Sequence, residues 1–351
     1  MTWQALSDKV LSGQKVSRDE ARAILNSTDD ELLDLLQAAF RIRSMFHGRG
    51  VRIHVLQNAK KGMCRENCKF CSQAMGAYSG VERYKMQSVE ELVEGARKAH
   101  AKKAVKYCMV TATRGPSPKE METVCEAVRR IKAEINIKVC TSLGLLSLEQ
   151  AKQLKAAGVD RFNHNLETSS RYYPEVCNTH TFEDRVNTIR NVKAAGMEAC
   201  CGGIMGMGET LEDRLDLAFT LCELGVESIP VNFMDPRPGT PLGDLPRLTP
   251  QECLRALCMF RFVNPERDIR AAGGREVCLR DMQVMALYVA NSIFSEGYLT
   301  TPGQGNSRDA QMIEDAGFTV VELIPEDSAC GEEDDHDHDH DHAESAPAAT
   351  H

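Results

Sequence analysis

From about residue 50 onward the chain alternates short β-branched or apolar runs with longer stretches whose apolar positions recur at three- and four-residue spacing. The short runs read as strands and the 3.6-residue recurrence as amphipathic helices. Candidate strands are residues 52–57 (RIHVLQ), 104–112 (AVKYCMVTA), 136–143, 161–167, 198–205, 228–234, 268–274 and 291–297. Helical patterns lie between them, as in 88–101, 117–134, 147–158 and 181–196, the last two running into Gly158 and Gly196 as helix C-termini commonly do. Eight strand-helix units over residues 46–325 predict an α/β fold, a (β/α)8 TIM-type barrel. Alternation alone leaves an open doubly wound sheet as the competing architecture. Residues 1–45 read as an N-terminal helical extension. There the capping boxes Ser17-x-x-Glu20 and Thr28-x-x-Glu31 precede apolar residues at helical spacing, such as Leu32, Leu33, Leu36 and Phe40.

Composition narrows the class. At 351 residues and 42% hydrophobic content the chain can bury a sizeable core. No apolar run is long enough to span a bilayer and the N-terminus lacks a basic-then-apolar leader, so a cytoplasmic protein is expected. The net charge of −9 is concentrated at one end: residues 332–351 carry eight acidic side chains and no Lys or Arg, leaving the rest near neutral. A near-neutral body favours neither a nucleic acid nor a membrane as partner. The Asp/His-rich tail, residues 326–351, cannot bury a core and is expected to be disordered; its alternating Asp and His would bind divalent metals loosely or simply stay solvated.

Fourteen cysteines without an export signal argue for ligation rather than a disulfide framework. Cys125, Cys222, Cys253 and Cys258 fall on helical stretches and read as small buried residues. Three others do not. Cys64, Cys68 and Cys71 form a C-x3-C-x2-C run after the first candidate strand, at the end of a barrel where active sites are built. Three thiolates can hold three irons of a cubane cluster and leave the fourth open. Zinc would need a fourth nearby ligand, and His47 and His54 lie upstream without the short spacing of a knuckle. Cys108, Cys140 and Cys200 each fall within a candidate strand, and Arg270 within another, where alternate side chains point into a barrel. Three inward thiols from separate strands favour a second cluster. A buried guanidinium wants thiolate, sulfide or carboxylate partners, or else bridges to an acidic neighbour at the rim.

The cysteine run with Phe70 before its last member resembles the signature of the radical S-adenosylmethionine (SAM) enzymes. That resemblance implies a 4Fe-4S cluster whose open iron chelates SAM, with reductive cleavage giving a 5'-deoxyadenosyl radical. Cys108, Cys140, Cys200 and Arg270, together with FNHNLETS, GGIMGMGET, IRAAGGRE, ANSIF and YLTTPG, resemble the biotin synthase family within that class. The resemblance runs from about residue 46 to 320. It implies sulfur insertion into dethiobiotin, two SAM per turnover, and an auxiliary 2Fe-2S cluster on those four residues as sulfur source. It implies SAM contacts at Phe70, Asn165, Glu167, Arg185 and Ile204. It further implies Asn165 and Asn232 as catalytic contacts to the dethiobiotin ureido group, and Thr300 and Thr301 at the valeryl carboxylate. A flavodoxin or ferredoxin-type electron donor, iron-sulfur assembly machinery and a homodimer follow as expected partners. The family commonly has Asp or Asn where Glu167 stands, and Cys201 and Cys278 stay open as competing thiols. The alternatives are another single-cluster radical SAM enzyme, which would share the first three cysteines but have no use for three in-barrel ones, and a non-enzymatic iron-sulfur or metal-handling protein with the tail as its functional end.

Overall fold

The computed structural model describes residues 2–301 and 303–323; the expected disordered tail lies outside the described residues. Three helices open the chain: α1 (Trp3–Leu11), α2 (Arg18–Leu25) and α3 (Leu32–His47). The alternating part follows as β1 (Gly50–Lys60), α4 (Val89–Ala101), β2 (Lys106–Thr111), α5 (Pro118–Glu134), β3 (Lys138–Ser142), α6 (Leu148–Ala157), β4 (Arg161–Asn163), α7 (Tyr173–Val176) and α8 (Phe182–Ala194). It continues as β5 (Glu198–Cys200), β6 (Gly203–Met205), α9 (Leu211–Leu224), β7 (Ser228–Phe233), α10 (Pro250–Val263), β8 (Asp268–Ala271) and α11 (Arg275–Leu279). A 3-10 segment (Arg280–Tyr288), β9 (Ser292–Phe294), α12 (Asn306–Asp315) and β10 (Thr319–Val320) complete it.

Every strand pairing in this sheet is parallel, and the order β1-β2-β3-β4-β5-β7-β8-β9 returns to β1, where Arg52, Ile53 and His54 pair with Ser292, Ile293 and Phe294. That return pairing decides for the closed (β/α)8 barrel over the open sheet. β5 and β6 are one strand interrupted at Cys201 and Gly202. A Cβ on Gly202 would sit 1.9 Å from the Pro230 carbonyl oxygen, so only glycine lets β7 approach so closely there. β10 pairs with Gly50 and Val51 outside the closed ring.

The helices start where their sequences say. Reciprocal capping boxes open α2, α4, α5, α6, α8, α9 and α10, at Ser17, Ser88, Ser117, Ser147, Thr181, Thr210 and Thr249. The expected box at Thr28 is only half made: the Glu31 carboxylate accepts from Thr28 N–H at 2.8 Å, but Glu31 itself is the N-cap of α3 and no side chain caps the helix. The first helices share the core of the barrel domain, Leu35, Ala39 and Ile42 being fully buried in it.

Arg43 ties α3 to the N-terminal end of the barrel. Its guanidinium is fully buried and donates to the carbonyls of Ala290 (3.1 Å), Gly50 (2.9 Å) and Gly48, while stacking 4.6 Å from the Phe318 ring. Arg43→Ala leaves these buried carbonyls without a donor, at about 1–3 kcal/mol each before relaxation. Urea unfolding should report a stability loss of about 3 kcal/mol with an unchanged m-value.

Candidate active site and metal centre

After β1 the chain leaves the C-terminal face of the barrel as a loop carrying Cys64, Cys68 and Cys71. The loop is pinned from outside, Lys69 N–H donating to Val176 O (2.9 Å) and Tyr78 N–H to Gly239 O (2.9 Å), and from within, Met75 N–H donating to Glu66 O (2.8 Å). Burial pushes the Cys71 thiol up to about 11 and raises that of Cys64; backbone N–H groups of Gln73 and Ala74 at Cys71, and of Glu66 and Arg65 at Cys64, oppose it. These thiols keep their protons at neutral pH until a metal displaces them.

Inside the barrel, alternate strand positions face one another. His54 of β1, Lys106 and Cys108 of β2, Cys140 of β3, Arg161 of β4, Cys200 of β5 and Arg270 of β8 line a single cavity, and the three loop thiols line the same cavity at its mouth. Cys108 and Cys140 are register partners across β2 and β3, which sets their thiols side by side. That contact, with Lys106 and Arg161 nearby, lowers the Cys140 thiol. Arg270 sends Nη1 to Cys200 Sγ at 3.6 Å, and Nη2 to Ser228 Oγ at 3.1 Å and to His54 Nε2 at 3.4 Å.

Asp268 underlies this layer. Its carboxylate accepts from Ser292 Oγ (2.7 Å), Asn291 Nδ2 (3.0 Å), Arg161 Nη1 (3.1 Å) and Ser228 Oγ (3.2 Å). Burial would raise its carboxyl, but Arg270 and Arg161 hold it well below the usual range. Burial and then Arg161 lower the Lys106 ammonium to about 8, and burial and then Arg270 hold His54 neutral. Lys106, Arg161 and Arg270 thus face only Asp268 and Glu198 among the carboxylates they pair with. The surplus positive charge suits an anionic sulfur centre. Arg270 Nε, buried and without a partner, remains free to meet one. Three inward thiols, this guanidinium and the cationic surround fit an iron-sulfur cluster.

The remaining expected contacts line the same cavity: Phe70, Asn165, Glu167, Arg185, Ile204, Asn232, Thr300 and Thr301. Glu167 is held at φ 70°, a left-handed conformation rare for a side-chain-bearing residue and a common mark of functional sites. Its Oε2 is buried without a partner, while Oε1 lies 3.5 Å from Arg185 Nη1. Arg185 also donates to Asn165 O (2.6 Å) and to the Tyr173 hydroxyl (2.5 Å). Asn165 Oδ1 accepts from Gly202 N–H at 3.2 Å. Asn232 is a brace as well as a candidate contact: its Nδ2 donates to Gly203 O (3.0 Å) and its Oδ1 accepts from Gly273 N–H (2.8 Å). Thr300 Oγ1 meets Ser72 Oγ at 3.0 Å, and Thr301 Oγ1 accepts from Arg237.

The competing thiols fall elsewhere. Cys201 and Cys278 are buried in the hydrophobic core and neither lines the cavity; Cys278 hydrogen-bonds Cys253 and the Met234 carbonyl (3.4 Å). His47 contacts the Arg267 carbonyl (3.1 Å) at the opposite end of the barrel from the cysteine loop, and His54 sits beside Arg270, so neither completes a zinc knuckle. Lys106, Arg161 and Asp268 went unmarked in the sequence, although Lys106 is two residues before Cys108 and Asp268 two before Arg270 on their strands. The alternation that points the cysteine and the arginine inward points these inward too.

Fold and site together define a radical SAM barrel. The Radical SAM superfamily model matches residues 62–221, and that of the Biotin and Thiamin Synthesis associated domain residues 230–319. Biotin synthase of Salinibacter ruber is 57% identical over 326 residues, 92% of this chain and 91% of that one; biotin synthase of Bacillus subtilis is 47% identical over 318 residues, 91% and 95% of the two chains. The chain belongs to the biotin synthase family. Among solved structures, methylornithine synthase superposes with TM-score 0.78 at 20% identity, covering 90% of this chain and 97% of that one. The FeFe-hydrogenase maturase of Carboxydothermus hydrogenoformans gives 0.77 at 17% identity, covering 90% and 78%. These two likenesses concern the fold. No described helix is long and apolar enough to cross a membrane.

Three histidines, two buried and one half-buried, give the fold a pH dependence. Burial depresses His54 and His164 well below 6.5 and His47 to about 4. A base depressed in the folded state binds its proton preferentially in the unfolded chain, so the stability it contributes is full above about pH 6.5 and lost as pH falls below it. Between pH 6.5 and 5.5 each histidine should remove about 1 kcal/mol. Urea midpoints measured across that range should fall on acidification, and His47→Gln should flatten the slope.

Proposed function

We propose that this chain inserts sulfur into dethiobiotin to form biotin, joining the methyl carbon and the ring methylene carbon, with two SAM consumed per turnover. One observation carries the reading: two separate thiol sets, one on the loop after β1 and one on three barrel strands, line the same cavity. When bound, a 4Fe-4S cluster with SAM supplies the hydrogen-abstracting radical and a 2Fe-2S cluster supplies the sulfur.

In this reading Cys64, Cys68 and Cys71 hold the first cluster, and Cys108, Cys140, Cys200 and Arg270 the second. Phe70 and Ile204 flank the SAM site with apolar surface. Glu167 takes the ribose hydroxyls through its free Oε2, held in place from below by Arg185; this longer carboxylate does the work that Asp or Asn does elsewhere in the family. Asn165 and Asn232 orient the ureido ring with the amide protons and lone pairs left over from their backbone bonds. Thr300 and Thr301 receive the valeryl carboxylate; Arg237, bonded to Thr301 and paired with Asp235 at 2.6 Å, braces that end of the cavity. The barrel wall keeps water from the reacting carbons.

The same reading takes residues 46–325 as the catalytic barrel, 1–45 as its helical extension and 326–351 as a tail. It calls for a flavodoxin or ferredoxin-type electron donor and for iron-sulfur assembly machinery to rebuild the second cluster, in a cytoplasmic homodimer.

Anaerobically reconstituted, reduced protein given SAM and dethiobiotin should yield both 5'-deoxyadenosine and biotin. Cys64→Ala should abolish both products, whereas Cys140→Ala should keep 5'-deoxyadenosine and lose biotin. Wild-type protein that makes neither product overturns the proposal. Wild-type protein that makes only 5'-deoxyadenosine points instead to a single-cluster radical enzyme.

A further inference from the structure

The segment from Lys60 to Gln87 carries six basic residues against two acidic ones, in a chain whose formal net charge is −9. Three of the six have partners: Lys60 pairs with Glu120 (2.8 Å), Lys61 with Glu82 (3.7 Å) and Lys69 with Glu175 (3.9 Å). Arg65, Arg83 and Lys85 are exposed, and no carboxylate among the described residues pairs with them. The same segment leaves large apolar side chains in water. Met63, Met75 and Tyr78 are 45%, 59% and 89% exposed, three of the seven large hydrophobic residues so placed among the described ones. One exposed apolar side chain means little, but Met, Tyr and Arg together are the residue types enriched where proteins dock.

The patch is held in shape. Lys61 and Tyr84 exchange backbone hydrogen bonds of 3.2 Å, Tyr78 N–H reaches Gly239 O at 2.9 Å, and Ser79 Oγ donates to Ser72 O at 2.6 Å. Gly62, Ser72, Gln73, Tyr78 and Arg83 line a second pocket here. Ser72 and Gln73, the two residues after Cys71, line this pocket and the barrel cavity alike. The stretch that carries the loop thiols therefore has one side toward the cavity and another toward the patch.

We infer that this patch is the docking surface for the acidic face of the one-electron redox protein that reduces the loop centre. The inference deepens the sulfur-insertion reading and rests on it. That reading needs one electron per SAM cleaved: the donor is oxidised by one electron and the 4Fe-4S cluster is reduced by one. In the same reading SAM and dethiobiotin fill the barrel cavity, so the donor has to approach the loop from its other side. A second copy of this chain is a poorer occupant, because a two-fold interface centred on the patch would set Arg65, Arg83 and Lys85 against the same charges. A partner with an acidic face gains from them instead, and is steered toward the loop before contact. A small, weak contact of this kind suits a donor that must leave after each electron.

The test uses reconstituted full-length protein and two probes, a flavodoxin and a 2Fe-2S ferredoxin. Isothermal titration calorimetry with each oxidised probe reads docking without turnover, and 5'-deoxyadenosine formation driven by the reduced probe or by dithionite reads electron delivery. Wild type should bind and be driven by at least one probe. Raising salt from about 0.01 M to about 0.1 M, which shortens the Debye length from about 30 Å to about 10 Å, should weaken binding and probe-driven turnover together. The Arg83→Glu, Lys85→Glu double variant should lose about tenfold or more in both, with iron content and the dithionite-driven rate at wild-type levels. Tyr78→Ala should weaken binding and keep its salt dependence. Lys138→Glu, at the first residue of β3 and so at the opposite end of the barrel, should change neither. If the double variant loses iron, Lys85→Glu alone decides in the same way. Unaltered binding in the charge-reversed variant overturns the inference, as does binding insensitive to salt, an equal loss in Lys138→Glu, or wild type that neither probe binds. Sedimentation velocity showing the patch variants in smaller species than wild type overturns it too, by making the patch a contact between copies. Wild type that dithionite cannot drive to 5'-deoxyadenosine overturns the cluster reading and the inference with it.

Discussion

The Asp268 carboxylate is the anchor of the barrel interior. A lone buried carboxylate would be costly to keep ionised, and this one is kept so by Arg161, two serine hydroxyls, an asparagine amide and the facing Arg270. Those partners come from β4, β7, β8, the residue before β9 and β9 itself, so the network can form only once the sheet has closed. The same bonds orient the groups above them. Arg270 reaches Cys200 because Ser228 and Asp268 hold its other side, and Arg161 adds to the positive field in which Cys140 sits.

Chemistry is therefore divided between a rigid interior and a looser mouth. Strand residues fix one thiol set to within the tolerance of a parallel ladder, Cys108 beside Cys140 and Cys200 across from them. The loop set depends instead on long-range backbone bonds to α7 and to the segment around Gly239. A centre that is consumed and rebuilt must be reached, and one that binds a cofactor must leave a coordination position open. Under the proposed function, lining one cavity with both sets would let a radical made at the mouth meet a sulfur source inside.

Much of this was legible in the chain. Capping boxes and apolar periodicity marked the helices, and the eight candidate strands all exist, though most end before their apolar runs do, as at Asn163, Ala271 and Phe294. Cys64, Cys68 and Cys71 stood out by spacing, and Cys108, Cys140 and Cys200 by lying within strands. Closure was not legible, since it depends on a pairing between β1 and β9 some 240 residues apart. Nor was the charged layer, because Lys106, Arg161 and Asp268 look like strand-edge polar residues until the barrel turns them inward.

The central claim is that one cavity holds two distinct iron-sulfur centres. Mössbauer spectroscopy of 57Fe-enriched, anaerobically purified full-length protein tests it directly, because the two centres have separable spectra. The account predicts a 4Fe-4S component in which one iron site changes on adding SAM, together with a 2Fe-2S component that Cys108→Ala removes while sparing the first. A spectrum of a single 4Fe-4S component in wild-type protein, unaltered by Cys108→Ala, would contradict it.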